Sequence, residues 1–424
     1  MWITAFPLAA ELQIGSPASA AVLPQPEADG HNPAFGYLPA VRGLELGSRL
    51  PTGLFGFTQP QRNPLLYWSD PDKFRQEFDF LSFYDQLYSP YEFLLQPSRS
   101  PKEIRFVIEA NQLRLESSGG EELQFETLPG SAGISLPRSP LIPLPVISYR
   151  FAAGPWRNRT GLFLSSSGFR VRPNETMQAL LDGETMQPST DYRVDGQIGL
   201  DSGLSSSLSY LLEMPTRIHG YTLLLAPRLL GYTRTAYAEL DYQLTARTDE
   251  TGVPNEVETE NRMLLMYPGN GWGGGLRFDL GAAVAAYPWR FGLSLLNLYG
   301  VDVVEGTVYP DAETQRVISA GIDPLLYASA AYIIPLNEAK LAVAVNSGVH
   351  REYRLFNALI RVRLQKWTVE VSGGRQGVWS FSAALSRRFG KLRAGISSSL
   401  HSSPLTNSQS WGIGLRLSTA GGSQ

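Results

Sequence analysis

The chain contains no cysteine, which excludes disulfide frameworks, thiolate metal sites and cysteine nucleophiles. Its charge is nearly balanced, with 36 basic and 39 acidic residues, so it lacks the basic surface typical of nucleic-acid-binding proteins. No apolar run reaches the ~18 residues that a transmembrane helix needs, and the mean hydropathy is −0.12. A β-strand can cross a membrane without such a run, because only alternate residues must be apolar.

Motifs for catalysis and cofactor binding are also missing. The four histidines form no HxxxH or HExxH pair, and there is no GxSxG nucleophile motif. The glycine-rich stretch 269–275 lacks the lysine and the strand-to-helix context of a phosphate-binding loop. We therefore predict that the protein is not an enzyme and has no cofactor or metal site.

The C-terminal stretch 355–418 shows the clearest pattern in the chain. Apolar and polar residues alternate over five consecutive segments; Trp367, Val369 and Val371, for example, are separated by Thr368 and Glu370. A period of two predicts strands with one apolar and one polar face. The apolar faces can pack on a second sheet, as in a soluble sandwich or a soluble barrel, or they can face lipid.

Three features favour lipid. Predicted turns at 373–375 and 390–391 are short, as in an up-and-down meander. Trp367, Trp379 and Trp411 lie near strand starts, where an aromatic girdle would be. Glycine, serine and arginine dominate the polar faces, which suits a wet or plugged interior. We predict an all-β fold, an antiparallel transmembrane β-barrel of about 14 strands over 146–419, with 12 or 16 strands as alternatives.

The chain before the barrel is predicted to contain several distinct segments, of which 11–39 is irregular. Residues 1–10 are interpreted as the end of a signal peptide, cleaved near Ala9 or Ala10, or alternatively as a plain apolar segment. Residues 41–145 are predicted to hold first strands, a helix at 69–89, a meander at 103–126 and a proline-rich connector. Packing within the protein is the preferred role of this aromatic helix. A second, short helix is predicted at 174–182, and 420–424 form a tail.

Two groups of residues carry a resemblance to a known family. One is Asn32-Pro33-Ala34, followed by Phe35; the other is the glycine-rich hairpin that contains Asp279, Gly281 and Asn297. Together they resemble the FadL superfamily of outer-membrane barrels, which includes channels for fatty acids and hydrophobic compounds, PorV-type secretion proteins and TraF-like barrels.

The resemblance implies a bacterial outer-membrane protein with an N-terminal plug at 11–40, whose motif is Asn32, Pro33, Ala34 and Phe35. It implies passive uptake of hydrophobic small molecules such as long-chain fatty acids. It also implies that outer-membrane lipid surrounds the barrel. Phe35, Phe55 and Phe57 are candidates for an apolar pocket near the plug. The alternative is a barrel that transports nothing and serves secretion, adhesion or envelope structure. The oligomeric state stays open.

Charged residues on the predicted polar faces are the candidates for the barrel interior. The principal set is Arg277, Asp279, Arg361, Arg363 and Glu370, and the wider set adds Glu239, Asp241, Arg247, Arg388, Arg393 and Arg416. Buried charges need partners, so the preferred interpretation is that opposite charges pair across the interior and hold the plug. The alternative is that some arginines meet a substrate carboxylate.

Overall fold

A computed structural model describes the greater part of the chain. The described residues are 10–12, 32–34, 45–48, 58–59, 93–96, 104–109, 112–117, 134–135, 145–181, 183–215, 221–286, 288–309, 311–321, 324–337, 339–350, 354–376, 378–390, 392–402 and 409–419. The elements in chain order are β1 (Ala10–Leu12), β2 (Glu45–Ser48), β3 (Phe93–Gln96), β4 (Ile104–Glu109), β5 (Gln112–Ser117), β6 (Ile134–Ser135), β7 (Pro145–Ala153), β8 (Trp156–Pro173), α1 (Glu175–Leu181), β9 (Asp191–Tyr210), β10 (Leu212–Pro215), β11 (Thr222–Thr248), β12 (Pro254–Met266), β13 (Trp272–Ala286), β14 (Trp289–Tyr309), β15 (Glu313–Gly321), β16 (Leu325–Pro335), β17 (Ala339–Val349), β18 (Arg354–Leu364), β19 (Trp367–Gln376), β20 (Val378–Phe389), β21 (Leu392–Ser402) and β22 (Gln409–Thr419).

One 20-stranded sheet contains nearly all of these strands, and β4 and β5 form a separate two-stranded sheet. Within the described part of the chain, fourteen strands form a continuous series in which each strand pairs with the next in the antiparallel direction. Their order is β2, β7, β8, β9, β11, β13, β14 and then β16 to β22. The predicted all-β, antiparallel fold is confirmed. Strand β2 lies before the range 146–419, for which about 14 strands were predicted, and the other thirteen described strands of the series begin at Pro145.

Short strands lie along the two outermost members of this series. The far edge of β22 pairs with β3 at Trp411 to Ile413 and with β1 at Leu417. Strand β1 then runs parallel to β2, which pairs with β7. The described pairings thus connect β22 to β7 through β1 and β2.

The strands differ greatly in length. Strands β16 to β22 have 10 to 12 residues, whereas β11 has 27 and β14 has 21. Strand β11 pairs with β13 along its first half and with β12 along its second half. The sequence predicted two strands here, at 219–232 and 234–247. A β-bulge between Arg234 and Ala236 absorbs the extra residue, so the strand continues through it.

The sequence-based turn at 373–375 is wrong. Gly373, Gly374 and Arg375 lie within β19 and pair with Phe381, Ser380 and Trp379. A Cβ on Gly374 would come within 2.3 Å of the carbonyl oxygen of Phe356, so this glycine permits close strand packing instead of a turn. The turn near 390–391 is confirmed at its described residue, since Gly390 has φ +61° between β20 and β21.

The two ends of the sheet have different connections. The short-turn end holds the tight reversals at 154–155, 365–366 and 390, and also the start of β14. One tight reversal is at the opposite end, where Gln376 pairs with Val378. The opposite end carries α1, β12 and β15, beyond the level at which most other strands end. We call it the long-strand end. Longer loops on one side are typical of the outer side of a membrane barrel.

The predicted short helix at 174–182 is confirmed as α1. The side chain of Asn174 accepts a hydrogen bond from the backbone N–H of Met177 at 2.9 Å, which is an N-cap. Met177 and Leu180 pack on Tyr192 and Leu244. Several predictions lie outside the described residues: the signal segment before Ala10, Phe35, Phe55, Phe57, the helix at 69–89, most of the proline-rich connector and the tail at 420–424.

Candidate functional site

The two faces of the main sheet have the reverse of the usual polarity. On β18 and β19 the side chains of Ile360 and Val371 are 51% and 53% exposed, whereas Glu370 and Ser372 are 7% and 5% exposed. The exposed apolar residues are neighbours across the strands, as in the pair Ile360–Val371. A soluble sheet buries its apolar face, so a broad exposed apolar face indicates contact with lipid or a partner. Outward apolar and inward polar residues are the pattern of a membrane barrel wall.

Aromatic residues border this exposed face at both ends. Trp156, Trp289 and Trp367 lie at the short-turn end. Trp379 and Trp411 lie near the starts of their strands at the long-strand end. All five are exposed. Two levels of exposed aromatic residues are the pattern of the girdles of membrane barrels. The predicted position of tryptophans at strand starts is confirmed for Trp367, Trp379 and Trp411.

The N-terminal motif lies against the opposite, buried face. Asn32 and Ala34 are almost completely buried. The side-chain amide of Asn32 donates hydrogen bonds to the carbonyl oxygens of Ala282 on β13, at 2.9 Å, and Leu293 on β14, at 3.2 Å. These two residues are directly opposite each other in the strand register. Asn32 therefore connects the motif to two neighbouring strands at once.

The motif is also held in a compact local shape. The side-chain oxygen of Asn32 accepts a hydrogen bond from the backbone N–H of Ala34 at 2.9 Å, which is the pattern of an Asx turn. Ala34 packs in a small buried cluster with Leu211, Leu224, Ala226 and Ala283. Only a small side chain fits in this position, because the cluster already encloses it on the buried face.

Gly281 provides the space for the motif. A Cβ at this position would lie 2.3 Å from the side-chain oxygen of Asn32, 2.7 Å from the Cδ of Pro33 and 3.0 Å from the backbone nitrogen of Ala34. Real Cβ contacts are essentially never shorter than 3.0 Å. Glycine at 281 is therefore required for the motif to lie in its observed place, and the two motifs that the sequence singled out meet here.

A buried ion pair lies on β13 two residues before Gly281. Asp279 accepts a hydrogen bond from the Nε of Arg228 on β11 at 2.8 Å, and both side chains are almost completely buried. The other oxygen of Asp279 accepts the backbone N–H of Asn297 at 2.5 Å. Asn297 has φ +54° and lies where the register between β13 and β14 is interrupted. The carboxylate thus supports an irregular backbone next to the motif.

The sequence identified Asp279 and Asn297 but not Arg228. A usable signal was present, because Arg228 is the sole charged residue in the otherwise mainly apolar stretch 222–232. A charge in such a stretch requires a partner of opposite sign. The partner itself is 51 residues away and could not be deduced from local spacing.

The remaining interior candidates mostly form pairs. Arg361 and Glu370 are opposite each other on β18 and β19, on the buried face, and their side chains are 2.7 Å apart. Arg277 contacts Asp302 at 3.3 Å and the hydroxyl of Tyr232 at 3.2 Å. Arg363 lies on the same face as Arg361 but is exposed, one residue before β18 ends.

The wider set of candidates divides between the two ends. Glu239 accepts hydrogen bonds from Gln197 at 2.9 Å and from Tyr237, and Asp241 is half-buried beside it. Arg247 contacts Glu256 at 3.2 Å at the long-strand end. Arg388 is at the short-turn end. The side chains of Arg393 and Arg416 are outside the described part of the structure.

Among the described residues, no group of three or more histidine, aspartate or glutamate side chains is placed to hold a metal ion. Within the same residues, no helix is both long enough and apolar enough to span a membrane.

Comparison with known proteins gives only distant similarities. No protein-family model and no curated protein sequence matches the chain. Among solved structures, the toluene transporter TodX of P. putida has 12% identity to it, over 69% of this chain and 88% of TodX, with a TM-score of 0.30. CdiB from Acinetobacter baumannii has 9% identity over 74% of this chain and 65% of CdiB, with a TM-score of 0.23. Similarities this distant carry no argument about function.

Proposed function

We propose that the sheet closes into a barrel in the bacterial outer membrane, and that the barrel passes hydrophobic small molecules by diffusion after its N-terminal plug is displaced. The observation that carries the proposal is the attachment of Asn32, on the buried face, to the backbone of both β13 and β14. A segment from the N-terminus that occupies the interior of a membrane wall blocks passage until it moves.

The dimensions of the wall support the membrane assignment. Strands β16 to β22 have 10 to 12 residues, and a transmembrane strand needs ~9–11. The exposed apolar face and its two aromatic borders match the hydrocarbon layer and its interfaces. The longer strands β11 and β14 extend beyond this layer on the long-strand end, which we assign to the outside.

The motif is held firmly enough to be specific and weakly enough to be released. Its described attachment consists of two hydrogen bonds from Asn32 and the burial of the small side chain of Ala34. Net contributions of about 0.5–1.5 kcal/mol for each hydrogen bond put the total in the range of a binding equilibrium, far below the stability of a barrel. A ligand that favours the displaced state can shift such an equilibrium.

Apolar side chains line part of the buried face close to the motif. Leu230, Leu296 and Leu325 form one cluster, and Tyr327 and Leu359 belong to another. Ligand sites are mostly apolar with a few polar groups, so this part of the interior suits a hydrocarbon or aromatic molecule. Long-chain fatty acids are one class of such ligands, and the resemblance of the N-terminal motif to FadL-type channels favours them.

A reversible crosslink tests the proposal. The chain has no cysteine, so the double variant Ala34→Cys/Ala283→Cys contains a single possible disulfide between two members of one buried cluster. We expect uptake of a labelled fatty acid, or of the neutral dye N-phenyl-1-naphthylamine, to fall on oxidation and to recover on reduction. The two single variants are the controls. Equal uptake by the oxidised and reduced double variant, with the crosslink verified by mass, would refute plug-gated passage.

A second function is favoured by the long-strand end. Strands β12 and β15 extend the sheet there, and residues 311–320 are exposed throughout. A surface of this kind suits docking of another protein, as a barrel for secretion, adhesion or envelope structure would need. Deletion of residues 311–320 separates the two functions: loss of a captured protein partner with unchanged dye uptake would support the docking function.

A further inference from the structure

Positive charge is concentrated on the buried face at the short-turn end. Seven described basic side chains are within four residues of a strand terminus at that end and follow the parity of the buried positions of their strands. Arg361 is paired with Glu370, and the other six are Arg157, Arg159, Arg290, Lys340, Arg363 and Arg388. They come from β8, β14, β17, β18 and β20, which are spread across the sheet. We call this set the basic mouth.

Acidic groups near this end of the described residues are Glu370, which pairs with Arg361, and Glu213, which is exposed on β10. Arg157 and Arg388 donate to carbonyl oxygens of the adjoining turns, those of Gly154 at 2.7 Å and Gly390 at 2.9 Å. Within the described part of the chain, no carboxylate is within 4.0 Å of Arg290, Lys340 or Arg363. Their positive charge is therefore available to a ligand.

Arg290 is the member that points most clearly to a ligand. Its Nη1 atom is buried and has no hydrogen-bond partner among the described groups. A buried guanidinium nitrogen without an acceptor is costly, and an anionic oxygen supplies the acceptor that it lacks. Lys340 and Arg363 are exposed and directly opposite each other on β17 and β18, and they add attraction at longer range.

The long-strand end has the opposite character. On its wall Arg234 pairs with Asp201 at 2.8 Å and Arg277 pairs with Asp302 at 3.3 Å. Glu239 and Asp241 add further negative charge next to these pairs. Positive charge is thus in excess at one end of the buried face and compensated at the other, so an anion is favoured at the short-turn end specifically.

We propose that the basic mouth is an anion-selecting site, which binds the carboxylate, sulfonate or phosphate group of an organic anion where it leaves the barrel at the short-turn end. Rings of arginine and lysine select anions in the same way in membrane pores. The inference rests on the proposed function for the enclosed interior, and it adds the charge of the molecule that is passed.

Two dyes with the same aromatic body provide the test. The probe 8-anilino-1-naphthalenesulfonate carries a sulfonate, and N-phenyl-1-naphthylamine lacks it. Binding of each is measured by fluorescence to the whole protein in lipid nanodiscs, with empty nanodiscs subtracted. We expect the triple variant Arg290→Gln/Lys340→Gln/Arg363→Gln to bind the sulfonate dye about tenfold more weakly and the neutral dye unchanged.

Arg387 supplies a matched control. It neighbours Arg388 but lies on the exposed face, 5.0 Å from the ring of Trp367. Arg387→Gln removes a charge at the same height without touching the mouth, so both dyes should bind as they do to the parent protein. Because a variant can fail to fold, the parent is also titrated from about 20 mM to about 500 mM salt, where screening should weaken only the sulfonate dye.

The outcomes separate this inference from the function it rests on. Unchanged sulfonate binding in the folded triple variant, or an equal loss of both dyes, overturns the anion-selecting mouth while neutral-dye binding by the parent still supports a hydrophobic interior. A sulfonate affinity independent of salt overturns it as well. If the parent binds neither dye, the proposed function fails, and the mouth fails with it.

Discussion

Replacing Gly281 with alanine adds a single methyl group at the contact between the N-terminal motif and the wall. The new Cβ would be 2.3 Å from the side-chain oxygen of Asn32 and 2.7 Å from the Cδ of Pro33. The proline ring cannot rotate away as a flexible side chain can, so the motif must shift or leave. We expect Gly281→Ala to displace the motif and leave the strands in place.

The size of the effect follows from the contacts that are lost. Inserting a methyl group into a well-packed site costs about 1–3 kcal/mol. If the motif leaves instead, the two hydrogen bonds of Asn32 are lost, at about 0.5–1.5 kcal/mol each. A strain of about 2 kcal/mol in the docked state corresponds to a roughly 30-fold change in the ratio of displaced to docked protein, and it is comparable with the hydrogen bonds that hold the motif.

Limited proteolysis and dye uptake measure this change. In Gly281→Ala, cleavage within the N-terminal segment and uptake of N-phenyl-1-naphthylamine should both rise, while the heat-dependent gel shift of the barrel is retained. Gly231→Ala is the matched control, because its Cβ would meet only the side chain of Leu276 at an ordinary 3.4 Å. Parent-like cleavage and uptake in a folded Gly281→Ala variant would refute the idea that this contact holds the plug.

Three further predictions follow from other parts of the wall. Asp279→Asn leaves Arg228 as an uncompensated buried charge, so it should lower the free energy of unfolding in urea by about 3–5 kcal/mol. Replacing both residues with apolar ones should recover most of this loss. Unchanged stability of Asp279→Asn would contradict the prediction. Val371→Arg on the exposed face should lower the free energy of unfolding in lipid vesicles by about 2–4 kcal/mol, whereas Val257→Arg on β12 should change it by no more than about 0.5 kcal/mol. Equal effects of the two substitutions would argue against a lipid-facing wall. Hydrogen bonds from Thr251 and Val253 lower the pKa of Asp249. The hairpin loop is therefore stabilised at any pH above the ordinary aspartate pKa, and it loses this contribution as the pH falls through the lowered pKa. Protection of the Val253 amide from hydrogen exchange should fall over that pH range, and it should be low at every pH in Asp249→Ala.

Local alternation was sufficient to predict the C-terminal wall. In 355–418 each strand has an apolar face and a polar face, so strand positions and the direction of each side chain follow from the period of two. Glycines were harder to interpret. At 373–374 they suggested a turn, but in the structure they allow close packing inside β19, and a short stretch of sequence does not distinguish the two uses.

The candidate site could be predicted in its parts but not in its assembly. Asn32-Pro33-Ala34 and the hairpin around Gly281 were selected separately by their resemblance to one family. Their contact joins residues about 250 positions apart, and no local pattern encodes such a distance. Arg228 was missed for the same reason, since its partner Asp279 belongs to another strand. The pairing of Arg361 with Glu370 was easier to foresee, because one hairpin brings them together.

We propose that the exposed apolar face of this sheet lies in lipid as the outer surface of a closed barrel. Fractionation of the bacterial envelope, followed by electrophoresis of the membrane fraction with and without boiling, tests this placement. We expect a band in the outer membrane that migrates faster when it has not been boiled, because a closed barrel resists detergent until it is heated. A soluble protein, or one whose migration is independent of boiling, would contradict the lipid-facing assignment and with it the proposed passage of hydrophobic molecules.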